Sequence, residues 1–183
     1  NNLRAMDEVN TAGDEYAPSW CLPNSTFVFT QEQRGRARLM QVDAEGKKRC
    51  MIDDIDSTAQ VSYATWSSNG VMIFSVFRSG DKGRVLNLME RRTINGVWSP
   101  SAFIPECIAN SFSSHATISP SGATLVFASD REGGVGNIDL WMCRRSGQNW
   151  EVPVHLGDLL NSAENEITPF LAGDDTLYFA SNG

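Results

Sequence analysis

The chain has 183 residues, 41% of them hydrophobic and 20% charged, which is the composition of a globular protein with one sizeable core. Fifteen lysines and arginines against 22 aspartates and glutamates give a net charge of −7, and this argues against nucleic acid as a partner, because such binding needs a basic face. No stretch approaches the roughly 20 consecutive apolar residues of a membrane-spanning helix.

The first repeat, approximately residues 10–55, opens with the segment Asn-Thr-Ala-Gly-Asp-Glu-Tyr-Ala-Pro at 10–18. Strands are predicted around Phe29 and over residues 38–42, where apolar, β-branched and aromatic side chains cluster between turn signals. The pair Glu45-Gly46 predicts a hairpin turn before an outer strand. Residues 3–9 fit the outer strand of a preceding unit.

The second and third repeats, approximately residues 56–108 and 109–160, show the same order of strands and turns. In each, a glycine turn precedes a short apolar strand and a further strand follows, which places predicted strands at 72–76, 85–89, 125–128 and 140–143. A second glycine turn leads to an outer strand that holds Trp98 or Trp150. The truncated fourth repeat, 161–183, ends with a predicted strand at 177–180.

The repeats share one period of roughly 50 residues. Phe29, Phe74, Phe127 and Phe179 lie 45, 53 and 52 residues apart, and the segment at 161–169 matches residues 10–18 at Asn, Ala, Glu and Pro without a gap. Four antiparallel strands in each period, with no sustained helical periodicity, are typical of a β-propeller blade. The sequence therefore predicts an all-β fold, a β-propeller segment over 1–183 that forms a partial ring of about three and a half four-stranded antiparallel blades.

An open arc of blades exposes two apolar faces that a closed ring would cover. We therefore expect the chain to be an excerpt of a longer polypeptide, with the missing strands supplied by further sequence, by another chain or by self-association. Four cysteines are widely spaced and form no Cys-x-x-Cys pair, so a disulfide stays open as an alternative to buried thiols. They are Cys21, Cys50, Cys107 and Cys143.

The third repeat carries the clearest family resemblance. Residues 119–131 read Ser-Pro-Ser-Gly-Ala-Thr-Leu-Val-Phe-Ala-Ser-Asp-Arg, and residues 133–141 read Gly-Gly-Val-Gly-Asn-Ile-Asp-Leu-Trp. Together they resemble the TolB-type WD-like propeller repeat. The continuation from Trp150 to Pro169 is similar to propellers that precede an OmpA-family domain in periplasmic proteins and lipoproteins of Bacteroidetes, of which the PorE-like component of type IX secretion systems is an example. The resemblance covers essentially the whole chain and is weaker in the first two repeats.

The resemblance implies a non-catalytic scaffold or protein-interaction module in the periplasm, associated with the outer membrane and bound to other envelope proteins. Peptidoglycan binding would belong to a separate OmpA-like domain. No Gly-x-Ser-x-Gly elbow, Walker loop or His-Glu-x-x-His motif occurs, and no catalytic, cofactor-binding or metal-binding residue is predicted. Two alternatives stay open: a carbohydrate- or peptide-binding propeller whose central funnel holds the ligand, and the gating propeller of a serine hydrolase.

Eight residues are interpreted as structural landmarks of the repeat. The spacing Gly134-x-Gly136-x-x-Asp139 resembles a dinucleotide fingerprint, but a strand follows it where that motif needs a helix. Instead, glycines are expected to allow positive φ where the chain crosses between strands, and Glu15 and Glu166 to share one structural role. The eight landmarks are Glu15, Asp130, Arg131, Gly133, Gly134, Gly136, Asp139 and Glu166, with Asp130, Arg131 and Asp139 holding the crossing by hydrogen bonds or an ion pair.

Other polar and aromatic residues favour a structural role. His115 and His155 have no cluster of partners in the sequence, and the acidic group Asp53, Asp54 and Asp56 lacks the spacing of a calcium loop. Most of the five tryptophans are expected in blade packing, because large aromatic side chains are usually buried.

Overall fold

The computed structural model describes residues 6–7, 9–21, 26–43, 46–80, 83–107 and 112–183. These residues form antiparallel sheets that follow one another along the chain, each built from consecutive strands. The first blade contains, in paired order, β1 (Asp14–Cys21), β2 (Thr26–Gln33), β3 (Arg36–Val42) and β4 (Lys48–Cys50). Such a meander is what apolar strands separated by glycine turns produce.

The second and third blades repeat this order and continue it at the outer edge. The second contains β5 (Gln60–Trp66), β6 (Val71–Gly80), β7 (Gly83–Ile94), β8 (Val97–Trp98) and β9 (Ala102–Phe103), followed by a 3-10 turn at Pro105–Cys107. The third contains β10 (Ser113–Ile118), β11 (Thr124–Ser129), β12 (Asp139–Ser146), β13 (Asn149–Trp150) and β14 (Val154–His155). A two-stranded sheet of β15 (Glu166–Leu171) and β16 (Leu177–Ser181) ends the described fold. The predicted all-β partial propeller is confirmed.

The outer strands of the second and third blades are divided in two. Strands β8 and β9 both pair with β7, and β13 and β14 both pair with β12, with Pro100 and Pro153 lying in the two gaps. A proline has no N–H to donate to the ladder, so the pairing is interrupted there. The predicted outer strands with Trp98 and Trp150 are therefore present but only two residues long each.

Part of the first predicted repeat lies outside the described residues. Glu45 of the predicted turn lies outside them, and so do residues 1–5 and 8 of the segment before the repeat, so most of the strand expected at 3–9 is not described. In the neighbouring described residues the Met6 carbonyl accepts the N–H groups of Val9 and Asn10, each at 2.8 Å, which is the geometry of a turn.

The recurring phenylalanine marks the second strand of each blade and faces the preceding blade. Phe74 lies in the core between the first and second blades, and Phe127 in the core between the second and third, both with no exposed surface. The residue before each phenylalanine points the other way, because side chains alternate along a strand. Ile73 accordingly packs toward the third blade and Val126 toward the fourth sheet. The core of this fold is thus the set of contacts between blades.

The first strand of each sheet is called the inner strand; these strands are β1, β5, β10 and β15. Threonine hydroxyls on two of them join neighbouring blades at equivalent positions. The N–H of Ile118 donates to Oγ1 of Thr65 at 3.3 Å, and the N–H of Leu171 donates to Oγ1 of Thr117 at 3.0 Å. Buried backbone N–H groups need such partners, so β10 is held against β5, and β15 against β10.

The turns between first and second strands form a second line of contacts. Asn69 donates through Nδ2 to the Ser121 carbonyl at 2.9 Å, and the Ser121 hydroxyl donates to Asp174 at 2.8 Å. The Ser121 hydroxyl thus bonds the acidic side chain of the following turn. Equivalent turns of three successive sheets are therefore linked along one end of the arc.

Candidate functional site

Each inner strand is interrupted by a bulge at the same repeat position. The pairing register shifts between Tyr16 and Ser19 in β1, and at matching places in β5, β10 and β15. Four residues other than glycine in these bulges have φ near +50°, namely Ala17, Tyr63, His115 and Thr168. This left-handed conformation costs on the order of 1–3 kcal/mol for residues other than glycine. Because it recurs in all four inner strands, the surrounding sheets hold it in place.

The bulges align aromatic side chains across three inner strands. The ring centroids of Tyr16 and Tyr63 are 5.5 Å apart, and those of Tyr63 and His115 are 4.1 Å apart. Phe112 extends the row, with its centroid 5.9 Å from that of His115. These separations are in or near the range of favourable aromatic contacts.

A cleft of about 750 Å³ lies along this row and is lined by parts of all four inner strands. Its walls include the aromatic residues Tyr16, Trp20 and Tyr63. None of the described residues that line it is an aspartate, glutamate, lysine or arginine. An acidic protein thus presents an uncharged cleft along its inner strands.

The titratable groups of the cleft are held in their neutral forms. Burial raises the pKa of Tyr16 to about 12 and also raises the pKa of Tyr63. Burial lowers the pKa of His115 to about 4. The Nδ1 atom of His115 is buried without a hydrogen-bond partner among the described residues. At neutral pH the cleft therefore carries an uncharged imidazole with one unused polar atom.

Because the pKa of His115 is lowered, we expect the free energy of unfolding to decrease as the pH falls from 6.5 to 4. In the unfolded chain this imidazole binds a proton with its ordinary pKa of 6.5, whereas the folded protein resists protonation down to about pH 4. The unfolded state therefore gains protons first as the pH falls. Urea unfolding at pH 7.0 and pH 4.5 should show that His115→Phe reduces the pH-dependent loss by about 2 kcal/mol. An NMR titration that places the His115 pKa near 6.5 would contradict this expectation.

Asp139, one of the predicted landmarks, is buried at the start of β12. Its carboxylate accepts the N–H groups of Gly136 at 3.2 Å and Val135 at 3.3 Å, and lies 3.3 Å from Nε2 of His155. The N–H of Gly157 donates to Nδ1 of His155 at 3.2 Å, and Nδ2 of Asn161 lies 2.9 Å from Nε2 of the same ring. This network holds the crossing segment before β12 against β14.

The glycines of the crossing segment are required for two different reasons. Gly133 has φ +93°, as predicted, but positive φ was a wrong expectation for Gly134 and Gly136. A Cβ at Gly134 would collide with the carboxylate of Asp139. A Cβ at Gly136 would collide with the backbone carbonyls at residues 162 and 164, in the loop that leads to β15. Close approach, not backbone conformation, therefore excludes a side chain at these two positions.

Asp130 and Arg131 secure the connection between the second and third blades. Asp130 accepts the N–H of Phe112 at 2.9 Å. Arg131 donates to the carbonyl of Glu106 at 3.3 Å, and its guanidinium lies 4.9 Å from the ring centroid of Phe127. Asp130 thus binds backbone next to the beginning of β10, and Arg131 binds backbone of the turn at Pro105–Cys107.

Glu15 and Glu166 occupy equivalent positions and make equivalent bonds. Glu15 accepts the hydroxyl and the N–H of Thr11, and Glu166 accepts the hydroxyl and the N–H of Ser162, each four residues earlier. The Thr11 hydroxyl holds the pKa of Glu15 below its usual value. Burial raises the pKa of Glu166, but hydrogen bonds from Ser181 and Ser162 outweigh it, and the net shift is downward. Both carboxylates fasten the loop that precedes an inner strand.

The other residues singled out in the sequence are placed apart from one another. His155 lies at the outer edge of the third blade, whereas His115 lies in the cleft. Asp54 accepts the N–H and hydroxyl of Ser101, and Asp56 accepts those of Thr58. Among the described residues no group of three or more His, Cys, Asp or Glu could hold a metal ion.

Sequence reasoning did not identify the cleft. Neither Tyr16 nor Tyr63 is one of the residues that recur between the repeats of the sequence. The bulges that bring them together depend on pairing between strands. Of the tryptophans, Trp66, Trp141 and Trp150 are buried as expected, but Trp20 is 54% exposed and borders the cleft. The only feature of the sequence that could have pointed to Trp20 as a cleft residue was its place directly after the repeated segment at 10–18.

Comparison with known proteins supports the fold. No family model matches the chain, and no curated protein matches it in sequence. TolB of Acinetobacter baumannii superposes with a TM-score of 0.64 at 11% identity, over 94% of this chain and 39% of that chain. An Agrobacterium tumefaciens protein assigned as TolB gives 0.50 at 18% identity, over 81% of this chain and 47% of that chain. The chain thus spans less than half the length of either structure.

At these identities the likeness shows a shared TolB-type propeller fold. A prolyl endopeptidase structure also matches, with a TM-score of 0.43 at 12% identity, a level that carries no argument. Within the described part of the chain, no helix has the length and apolar character needed to cross a membrane.

Proposed function

We propose that the chain is a non-catalytic protein-interaction module whose inner cleft binds an extended, uncharged segment of a partner protein. The observation that carries this proposal is the uncharged aromatic cleft itself, bordered by four strained bulges. Strain of this kind at equivalent positions is maintained by the surrounding sheets and exposes the bulge residues to the cleft.

A peptide matches the cleft better than a charged ligand does. The strands β1, β5, β10 and β15 are the first strands of their sheets, so each has one edge without a neighbouring strand of its own sheet. Strand edges offer backbone N–H and C=O groups to an extended chain, and aromatic rings offer apolar surface for its side chains. A charged segment would lose its hydration in the cleft without meeting an opposite charge.

The chemistry of the cleft also favours binding over catalysis. A general base works best when its pKa lies near the working pH, and burial lowers the pKa of His115 to about 4. The described lining residues include no carboxylate and no thiol that could serve as a second catalytic group. The nearby Ser19 hydroxyl accepts the indole N–H of Trp66 at 3.0 Å, which is a packing role.

The repeat resemblance supports the finer parts of the proposal. It favours a periplasmic, outer-membrane-associated protein or lipoprotein that acts in a cell-envelope or type IX secretion complex. Other envelope proteins are the proposed partners, and peptidoglycan would be bound by a separate OmpA-like domain. The repeat boundaries at approximately 55, 108 and 160 and the single-segment organisation are part of the same proposal.

Site-specific photo-crosslinking in cells tests the cleft as the binding surface. A benzophenone amino acid at Tyr63 is expected to yield one protein adduct, identified by mass spectrometry as an envelope protein. The same probe at Asn149, exposed on the outer strand of the third blade, is the matched control and should give no such adduct. Adding Ala172→Arg, an exposed position in the cleft wall, should reduce the Tyr63 adduct at least tenfold because it introduces an unpaired charge.

The same experiment separates the alternatives. Saturable binding on a glycan array without any protein adduct would favour a carbohydrate ligand, for which exposed Trp20 offers a stacking surface. An adduct that forms equally from Tyr63 and Asn149 would show that the cleft is not the binding surface.

A further inference from the structure

Two cysteine side chains meet in the core between the second and third blades. Cys107 lies at the end of the 3-10 turn at Pro105–Cys107, and Cys143 lies in β12. Their sulfur atoms are 3.7 Å apart, and neither residue has exposed surface. The two thiols are 36 positions apart in the chain, so a local sequence pattern could not reveal their contact.

The other two cysteines lie elsewhere. Cys21 belongs to the core between the first and second blades, whereas Cys107 and Cys143 belong to the next core along the arc. Cys50 is exposed, and its Sγ lies 3.3 Å from the Ile52 carbonyl. Cys107 and Cys143 are therefore the pair that the fold brings together.

The contact is close to what a covalent bond requires. A disulfide has an S–S distance of about 2.05 Å, so the sulfurs would need to approach by about 1.7 Å. Rotation of the two thiols about their Cα–Cβ bonds and a small shift of the three-residue turn can supply that approach.

We propose that Cys107 and Cys143 form a disulfide bond that joins the connection between the second and third blades to the interior of the third. The oxidant is a small-molecule disulfide or a disulfide-carrying oxidoreductase. One cysteine thiolate attacks the oxidant disulfide and releases a thiolate. The second cysteine then attacks the mixed disulfide and releases the other half of the oxidant. The protein loses two electrons and two protons, and the oxidant becomes two thiols.

The bond forms during folding, before the two blades close. The hydrogen bond to the Cys143 thiol, together with burial, raises the pKa of Cys107 well above its usual value, and only a thiolate attacks a disulfide. The folded, reduced protein is therefore expected to react slowly. Once formed, the bond restricts the unfolded chain by closing a loop between the two positions.

Refolding in a glutathione redox buffer, with a matched sample refolded in excess reductant, tests this proposal. Peptide mapping under non-reducing conditions should recover Cys107 and Cys143 in one linked peptide from the oxidised sample. The oxidised protein should unfold about 5–10 °C above the reduced protein. Cys50→Ala should keep both the linked peptide and this shift, and Cys143→Ala should lose both.

Three outcomes would overturn the proposal: absence of the linked peptide from folded, oxidised wild-type protein, a linked peptide with no rise in Tm, or an undiminished shift in Cys143→Ala. Should Cys143→Ala fail to fold, the peptide map and the Tm difference of the wild-type protein decide the question alone.

Discussion

Phe127→Ala is expected to lower the free energy of unfolding by about 3–5 kcal/mol, because it opens a cavity between two blades. The ring has no exposed surface and lies in the core shared by the second and third blades. It faces Trp141 across the strand pair β11–β12, and the Arg131 guanidinium lies 4.9 Å from its centroid. Neighbouring strands on both sides are paired, so the backbone cannot collapse to fill the space.

The equivalent change in the last sheet is the matched control. Phe179 occupies the same repeat position in β16 but is only partly buried. Phe179→Ala should therefore cost about 1–2 kcal/mol, since its side chain removes less surface from water. Urea unfolding followed by tryptophan fluorescence measures both. Equal costs at the two positions would show that the contacts between blades do not form the core.

Glu90→Ala should destabilise the protein by about 3 kcal/mol, because it leaves the largely buried guanidinium of Arg145 without a carboxylate. Among the described ion pairs, Glu90 is the only partner of Arg145. Glu90 in the second blade accepts Nη2 of Arg145 in the third at 2.7 Å, and both side chains are 12% exposed. It also accepts Nε1 of Trp150 at 2.9 Å and Nε of Arg92 at 2.5 Å. Three donors from two blades thus converge on a single carboxylate.

Two comparisons make the result specific. Glu132→Ala removes an exposed glutamate and should change the free energy of unfolding by less than about 0.5 kcal/mol. The double variant Glu90→Leu with Arg145→Leu should be more stable than Glu90→Ala alone, because it leaves no unpaired buried charge. Costs that add simply across Glu90→Ala and Arg145→Ala would refute an energetic link between these residues.

The sequence by itself determined the type of the strands and their order within each repeat. The sequence contains short runs of alternating apolar residues, separated by glycine turns at near-constant intervals. Few folds other than a propeller fit this pattern, because each sheet must cover the apolar face of the next. The places of Phe74 and Phe127 in their blades could be assigned for this reason, and the equivalent roles of Glu15 and Glu166 followed from one gapless match. These features depend on local spacing.

The tertiary structure alone decided what the inner strands present and which distant side chains meet. The bulges at Tyr63 and His115 depend on pairing between strands, which a propensity pattern does not encode. The contact of Cys107 with Cys143 and that of Glu90 with Arg145 depend on the angle at which one blade packs on another. Positive φ was expected at Gly134 and Gly136, but the neighbours that exclude a Cβ there come from Asp139 and a loop of the next sheet. Contacts between blades arise only when the arc forms, so residues far apart in the chain acquire their partners at that step.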